Sequence, residues 1–171
     1  MMQRTLRWMV ISVLGVLLLY PAVCSADSLK LSLGKERGDT CIEPFDKTVT
    51  TRYQPMSFCV ALTNNPSSSQ SVYWKAEAGG IASLSFELTS EQGETFVVRP
   101  KKKPIRSGQV ISDYLPAGET FYKVILADMN TWENIPVMEE GQSKKYKVRA
   151  IFDNNSSNIY SDYYTVILDG K

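Results

Sequence analysis

The sequence predicts an all-β protein, built as a sandwich or a barrel of short strands. Apolar residues alternate with polar ones along residues 29–33, 56–63, 84–88 and 146–152. Side chains switch faces at each position of a strand, so each of these runs presents one apolar face to a core. Turn-forming residues recur between the runs about every eight to twelve residues, as in sandwiches and barrels. No stretch of about twelve residues has the 3.6-residue apolar spacing of an amphipathic helix.

Five shorter or less regular apolar runs bring the expected number of strands to about nine. They cover residues 72–74, 95–98, 110–115, 121–126 and 160–168. Turn chemistry separates the runs along the chain. Asn64-Asn65-Pro66 ends the run that starts at residue 56, because proline cannot donate a hydrogen bond to a strand ladder. Gly93 and Gly118 lie in short polar segments, where we expect them to supply the positive φ of tight turns.

The first 26 residues have the order of a secretory signal peptide. Arg4 and Arg7 give a positive start, residues 8–20 form an apolar run, and Pro21 interrupts that run before the small residues at 24–26. The apolar run is shorter than the roughly 20 residues that span a bilayer. We therefore expect cleavage after residue 26 and export to the periplasm or outside the cell. An uncleaved anchor and a lipoprotein are the alternatives.

The remaining residues, 27–171, fit one domain of 145 residues, with no linker or repeat that divides them. No second apolar segment in this part of the sequence approaches the length of a membrane span. Without Arg4 and Arg7, 17 basic residues stand against 18 acidic ones, a net charge of −1. This balance gives no electrostatic reason to expect nucleic acid or an anionic membrane as the partner.

Cys41 and Cys59 are the two cysteines that remain once the signal peptide is removed. In an oxidising compartment an isolated pair of cysteines indicates a disulfide. Closing a loop of this length would stabilise the fold by about 3 kcal/mol in the chain-entropy model. The alternative is two unpaired cysteines, one buried in a strand and one in a loop.

Several segments resemble bacterial secreted immunoglobulin-like β-sandwich domains. Leu115-Pro116-Ala117-Gly118-Glu119 is similar to the turn that opens their fifth strand, and residues 146–154 are similar to a Tyr-x-x-x-Ala strand near their end. Residues 56–65, with Leu62-Thr63-Asn64 near the end, resemble their second strand. The resemblance implies an immunoglobulin-like sandwich of two antiparallel sheets with about seven to nine strands, and it implies no activity by itself.

A sandwich of this kind also occurs in the bacillar intracellular proteinase inhibitor. The resemblance therefore makes inhibition of a proteinase one function to consider. No segment of this sequence matches a reactive loop that could be carried over, and the signal peptide departs from a cytosolic inhibitor. Pilus chaperones share the architecture but use two such domains, whereas this chain has room for one.

The composition argues against catalysis. The sequence contains no histidine, which removes Ser-His-Asp and Cys-His catalysis in their usual forms together with histidine-based metal sites. Pairing of the two cysteines would remove a cysteine nucleophile, and no predicted helix follows a glycine-rich phosphate loop. We therefore expect no enzyme, no cofactor and no metal site. A hydrolase that uses two carboxylates brought together by the fold is the alternative.

The first candidate for partner binding is a segment between two predicted strands. Met129, Trp132, Ile135 and Met138 are apolar although they lie in a loop. Loops at the ends of sandwiches often carry recognition, and tryptophan and methionine suit contact surfaces. The alternative is that this loop folds back and caps the core, with Trp132 buried.

The second candidate is a group of aromatic residues on predicted strands. Trp74, Tyr160, Tyr163 and Tyr164 could form a platform on which sugar rings stack, as in carbohydrate-binding modules. The alternative is that these residues occupy half-buried strand positions.

The third candidate is a basic patch formed by Lys101, Lys102 and Lys103 between two prolines. Such a run would suit an acidic partner or a glycan. The alternative is a connection or a sheet edge, which lysine and proline protect from pairing with other strands.

Together these features predict an exported, non-enzymatic binding or interaction module. A protein partner is favoured, and a proteinase is the most specific version of that partner. The alternatives are a carbohydrate-binding module and a structural or assembly component of the cell envelope.

Overall fold

The computed structural model describes thirteen β-strands in residues 29–37, 40–42, 48–53, 55–65, 70–75, 82–101, 110–155 and 157–170. The strands are β1 (Leu29–Arg37), β2 (Thr40–Ile42), β3 (Thr48–Arg52), β4 (Met56–Asn64), β5 (Gln70–Lys75), β6 (Leu84–Ser90), β7 (Thr95–Pro100), β8 (Val110–Leu115), β9 (Thr120–Ala127), β10 (Trp132–Glu133), β11 (Ser143–Asp153), β12 (Asn158–Tyr160) and β13 (Tyr164–Asp169). The expected signal peptide lies outside these residues. Within them, no helix is long and apolar enough to cross a membrane.

The strands form two main sheets and one small ribbon. The smaller sheet has the order β2-β1-β4-β9, and the larger one has the order β10-β7-β6-β11-β13-β3, with β12 also paired to β11. The ribbon consists of β5 and β8. Every pairing is antiparallel except that of β13 with β3, which is parallel. The expected all-β, sandwich-like fold is confirmed.

Eight of the nine expected runs each lie within one of these strands. The expected run 160–168 is divided between β12 and β13 by residues 161–163. Ser161 lies at this break, where its hydroxyl accepts the amide of Ala150 at 2.8 Å while its own amide donates to the carbonyl of Ala150 at 3.0 Å. Three short strands, β2, β3 and β10, were not expected, because they contain no apolar alternation that a pattern could reveal.

The expected turns also form. Gly93 and Gly118 adopt φ values of 87° and 79°, which the absence of a side chain permits at low cost. The hairpin between β6 and β7 closes through Ser90, whose amide donates to the carbonyl of Glu94 at 2.8 Å.

The core lies between the two main sheets and draws on every second residue of their strands. Phe58 on β4 meets Phe86 on β6 at a ring-centroid distance of 4.5 Å. The inward-facing side chains of the two sheets are Leu31, Leu33, Met56, Phe58, Val60, Leu62, Leu84, Phe86, Leu88, Val98, Ile125, Ala127, Tyr146, Val148, Ala150, Phe152, Tyr164, Val166 and Leu168. Since each large buried side chain contributes about 1.5–3 kcal/mol relative to exposure, this alternation is the main source of stability.

The outer face of the smaller sheet is covered as well. Its outward-facing residues at the centre form the cross-strand pairs Ser32–Ala61 and Gly34–Cys59, all four of them buried. These side chains are small, which leaves space for another segment of backbone. β2 contacts β4 and β9 although it pairs only with β1, so it crosses a face of the sheet, and the burial of these four residues indicates that this is the outer face. The sheet is therefore packed on both faces, and β2 acts as a strap across its outer face.

The strap carries Cys41, and the face beneath it carries the buried Cys59. Cys41 pairs with Glu36 on β1, while Cys59 pairs with Gly34, two residues away on the same strand. What brings the two strands that carry the cysteines together is the contact of β2 with β4, since the two pair on opposite sides of β1. The disulfide itself stays a prediction, because the side chain of Cys41 lies outside the described residues.

We predict that Cys41→Ser lowers the free energy of unfolding by about 3 kcal/mol, because the strap is then no longer tied to the sheet. Urea unfolding measures this difference, and unfolding of the native protein under reducing conditions should reproduce it. Alkylation followed by intact-mass analysis is the control. Modification of both cysteines in the unfolded protein without reductant would contradict the disulfide.

Candidate functional site

The loop that was the first candidate for partner binding is folded into the core. Trp132, Ile135 and Met138 expose 4%, 9% and 8% of their surface. The ring of Trp132 lies 5.7 Å from the ring of Phe86. The structure thus places these three side chains inside, where the alternative of a core cap requires them. Only Met129 of the four candidates is exposed.

Asp128 starts this inward turn. Its Oδ1 accepts the amides of Asn130 at 2.7 Å and Thr131 at 3.1 Å, and its Oδ2 accepts the Thr131 hydroxyl at 2.7 Å. The amide of Trp132 then donates to the Asp128 carbonyl at 2.8 Å. The hydrogen bond from the Thr131 hydroxyl, and after it those from the amides of Asn130 and Thr131, lower the pKa of the Asp128 carboxyl. The turn directs Trp132 towards β7, where it pairs with Pro100.

The far end of the loop is held in the same way by polar contacts. The amide of Asn134 donates from Nδ2 to the carbonyl of Val97 at 3.1 Å, and the backbone amide of Met138 donates to the Tyr53 hydroxyl at 3.1 Å. The loop is therefore held at both ends, and its apolar side chains are buried in the core.

The basic patch is described only at its first residue. Lys101 is exposed, and its ammonium donates to the carbonyl of Met129 at 2.6 Å. Its backbone amide also donates to the carbonyl of Thr131 at 2.9 Å. Lys101 therefore helps to hold the loop of residues 128–138, which we call the capping loop. Lys102 and Lys103 lie outside the described residues.

The aromatic candidates are separated by the structure. Tyr164 is buried with the core at 9% exposure, while Tyr160 and Tyr163 expose 48% and 45% of their surface. The side chain of Trp74 lies outside the described residues. Of the expected platform, the structure therefore leaves Tyr160 and Tyr163 exposed and buries Tyr164, and the part of Trp74 in it stays a prediction.

Tyr160 and Tyr163 belong to a compact group on the outer face of the larger sheet. The guanidinium of Arg149 on β11 lies over both rings, 4.6 Å from the centroid of Tyr160 and 4.9 Å from that of Tyr163. Arg149 donates from Nη2 to Oε2 of Glu87 on β6 at 2.9 Å, and Tyr163 donates to Oε1 of the same carboxylate at 2.8 Å. We call Glu87, Arg149, Tyr160 and Tyr163 the tyrosine–arginine patch.

The patch is fixed by strand register. Arg149 and Glu87 are direct cross-strand partners in the β6–β11 pairing. Side chains that face each other across an antiparallel pair lie close enough to interact, and an opposite-charge pair stabilises the sheet. Each cation–π contact adds about 0.5–1 kcal/mol at a site with this exposure. The rings of Tyr160 and Tyr163 are therefore positioned by contact with Arg149 and not by burial in the core.

The contacts of the patch shift three pKa values. The hydrogen bond from Arg149 lowers the pKa of the Glu87 carboxyl, and the same bond raises the pKa of Arg149. The hydrogen bond to Glu87 raises the pKa of the Tyr163 phenol. All three shifts favour the ion pair with a neutral tyrosine beside it, which is the state expected at neutral pH.

An open groove of about 370 Å³ runs beside the patch. Its lining consists of Thr89, Lys147, Tyr163, Tyr164 and Thr165. Lys147 is the cross-strand partner of Thr89 on β6 and of Thr165 on β13, so the three side chains form one row across the sheet. We call this feature the threonine–lysine groove. Tyr163 belongs to both features and joins them.

Sequence patterns found the two tyrosines but missed Glu87, Arg149 and the groove. The signal was present in the polar positions of the expected strands, because Glu87 and Arg149 lie between inward-facing residues of β6 and β11. The sequence does not show the register of β6 and β11, which is what makes Glu87 and Arg149 cross-strand partners. In the described part of the chain, no three acidic or cysteine side chains come together in a way that could hold a metal ion.

No protein-family model and no curated protein matches the sequence. Among solved structures, the chain is similar to a family 123 glycoside hydrolase from Clostridium perfringens, with a TM-score of 0.38 and 10% identity over 82% of this chain and 27% of that one. It is also similar to the CooA pilin subunit from enterotoxigenic Escherichia coli, with a TM-score of 0.35 and 13% identity over 83% of this chain and 99% of that one. This chain thus spans well under a third of the hydrolase. Similarity at this level carries no argument about function.

We predict that Trp132→Ala lowers the free energy of unfolding by about 3–5 kcal/mol, because it leaves a cavity against Phe86. Chemical unfolding of the purified protein measures the loss. Met129→Ala in the same loop is the matched control and should change stability by less than about 0.5 kcal/mol. Equal effects of the two substitutions would contradict the cap.

We predict that the ion pair of the patch fails at acid pH. Because the pKa of Glu87 is lowered by folding, the stability it contributes is present above its ordinary value of 4.5 and is lost as pH falls through the lowered value. The stability difference between the native protein and Glu87→Gln should therefore shrink between about pH 5 and pH 2. Carboxyl NMR titration of Glu87 in the native protein and in Arg149→Gln is the direct measurement. A Glu87 that titrates alike in both proteins would contradict the assignment.

Proposed function

We propose that this chain is an exported, non-catalytic carbohydrate-binding module whose contact surface is the tyrosine–arginine patch. One observation carries the proposal: Tyr160 and Tyr163 leave nearly half of their surface exposed while Arg149 holds both rings. Exposed tyrosines on a soluble domain are ordinary when they are scattered, but a pair anchored on one cation forms a defined surface.

The chemistry of the patch matches that of a sugar ring. The C–H faces of a pyranose pack on aromatic rings, and its hydroxyls need donors and acceptors nearby. Tyr160 and Tyr163 offer the rings, and the carboxylate of Glu87 and the hydroxyl of Tyr163 offer polar atoms beside them. Because these side chains are already held by one another, little side-chain entropy would be lost on binding.

The choice of a glycan over a protein partner follows from the position of the apolar side chains. The loop favoured for protein contact buries Trp132, Ile135 and Met138, so the strongest argument for a protein partner no longer applies. Inhibition of a proteinase still rests on the family resemblance alone. The sequence supports export through residues 1–26, and the lack of histidine supports binding without catalysis.

We predict that the exported protein is retained on at least one polysaccharide, and that Tyr160→Ala and Tyr163→Ala each weaken that binding by about tenfold or more, equivalent to about 1.4 kcal/mol. Affinity electrophoresis on a panel of neutral and acidic polysaccharides finds the ligand, and titration calorimetry measures the affinity. Tyr122→Ala is the matched control, because Tyr122 is 53% exposed on the other sheet.

Stability must be measured for each variant, since the aromatic contacts also help to hold Arg149. Tyr163→Phe tests the mechanism further, because it keeps the ring and removes only the hydrogen bond to Glu87. It should retain most of the affinity if ring stacking dominates. Loss of binding in Tyr122→Ala to the same extent, or no retention on any polysaccharide, would overturn the proposal.

A further inference from the structure

The charges on the outer face of the larger sheet are not all compensated. Arg149 is paired with Glu87, and Lys145 lies 3.7 Å from Glu91. Lys147 is the outward-facing residue between these two cations on β11, and its ammonium has no ion pair or hydrogen bond with any residue that the structure describes. Its exposed ammonium stands in the threonine–lysine groove.

The remaining surface of the groove offers hydroxyl groups. Thr89 and Thr165 flank Lys147 on the two neighbouring strands, and both are half-buried. The hydroxyl of Thr89 lies 3.3 Å from that of Thr95, so it keeps a further hydrogen bond to give or accept. Tyr163 forms the end of the groove that adjoins the patch. The groove therefore combines a ring, two hydroxyls and one cation that has no protein counterion among the described residues.

We propose that the threonine–lysine groove selects saccharides that carry an anionic group, with Lys147 binding that group. This inference rests on the proposed carbohydrate-binding function and specifies its ligand class. If one sugar unit stacks on the patch at Tyr163, the next unit of the saccharide lies along the row of Thr89, Lys147 and Thr165. The anionic group, a carboxylate or a sulfate, then meets the ammonium, and ring hydroxyls meet the threonines.

The size and charge of the site agree with this ligand class. A volume of about 370 Å³ lies within the range of roughly 300–1,000 Å³ of small-ligand sites. Lysine suits an anion as a compact point charge, whereas bidentate recognition would call for arginine. Arg149, the arginine nearby, is already bound to Glu87 and stacked on both tyrosines, so it serves as a positioning residue.

The test uses matched pairs of polysaccharides that differ only in charge. Polygalacturonate and its fully methyl-esterified form test the carboxylate, and dextran sulfate and dextran test the sulfate. We expect the charged member of at least one pair to bind about tenfold more tightly. We expect Lys147→Gln to remove that preference by weakening the binding of the charged member, so that the two members of the pair bind alike. The preference should also weaken as salt is raised, since the site is exposed.

Lys145→Gln is the matched control, because it removes the same charge from the same face of β11 outside the groove. If Lys145→Gln reduces the preference as much as Lys147→Gln does, binding depends on overall charge and the groove site is overturned. Equal affinity for charged and uncharged members overturns the anionic selection and leaves the proposed function intact. If no polysaccharide is retained at all, both the inference and the proposed function fail.

Discussion

Strand β11 connects the core of this protein to its outer surface. Its even-numbered residues from Tyr146 to Phe152 are buried between the sheets, and its odd-numbered residues Lys147 and Arg149 face outward. β6 pairs along one side of this strand, and β12 and β13 pair along the other. A shift of one residue in this register would place the charged residues in the core and the aromatic ones in solvent. The energy of burial therefore fixes the register, and the register in turn places Arg149 opposite Glu87 and Lys147 between two threonines.

The two sheets present different outer faces for the same reason. On the smaller sheet the outward residues at the centre are Ser32, Gly34, Cys59 and Ala61, so backbone can pack on them and β2 does so. On the larger sheet the outward residues include Glu87, Lys145, Lys147 and Arg149, whose side chains are long and charged. The small residues lie on a covered face, and the long charged ones lie on a face that stays exposed.

The capping loop connects two strands and yet carries apolar side chains. Trp132 and Met138 had two possible roles, since both a contact surface and a core cap require apolar side chains outside regular strands. The amides of Asn130 and Thr131 donate to the Asp128 carboxylate and so turn the chain inward, which places Trp132 in the core. Such a turn is built from short-range hydrogen bonds, but its direction relative to the core depends on β7, which pairs with Trp132 from more than thirty residues away in the chain.

The sequence alone determined the fold class, because period-two alternation and turn residues are local consequences of strand geometry. Nine expected runs became strands, and Gly93 and Gly118 adopted the backbone conformation that their turns require. The tertiary structure alone decided which polar residues meet. Glu87 and Arg149 are 62 residues apart in the chain, and their contact depends on the pairing of β6 with β11. Alternation tells which face a side chain occupies, whereas only the packed sheet tells which side chain lies beside it.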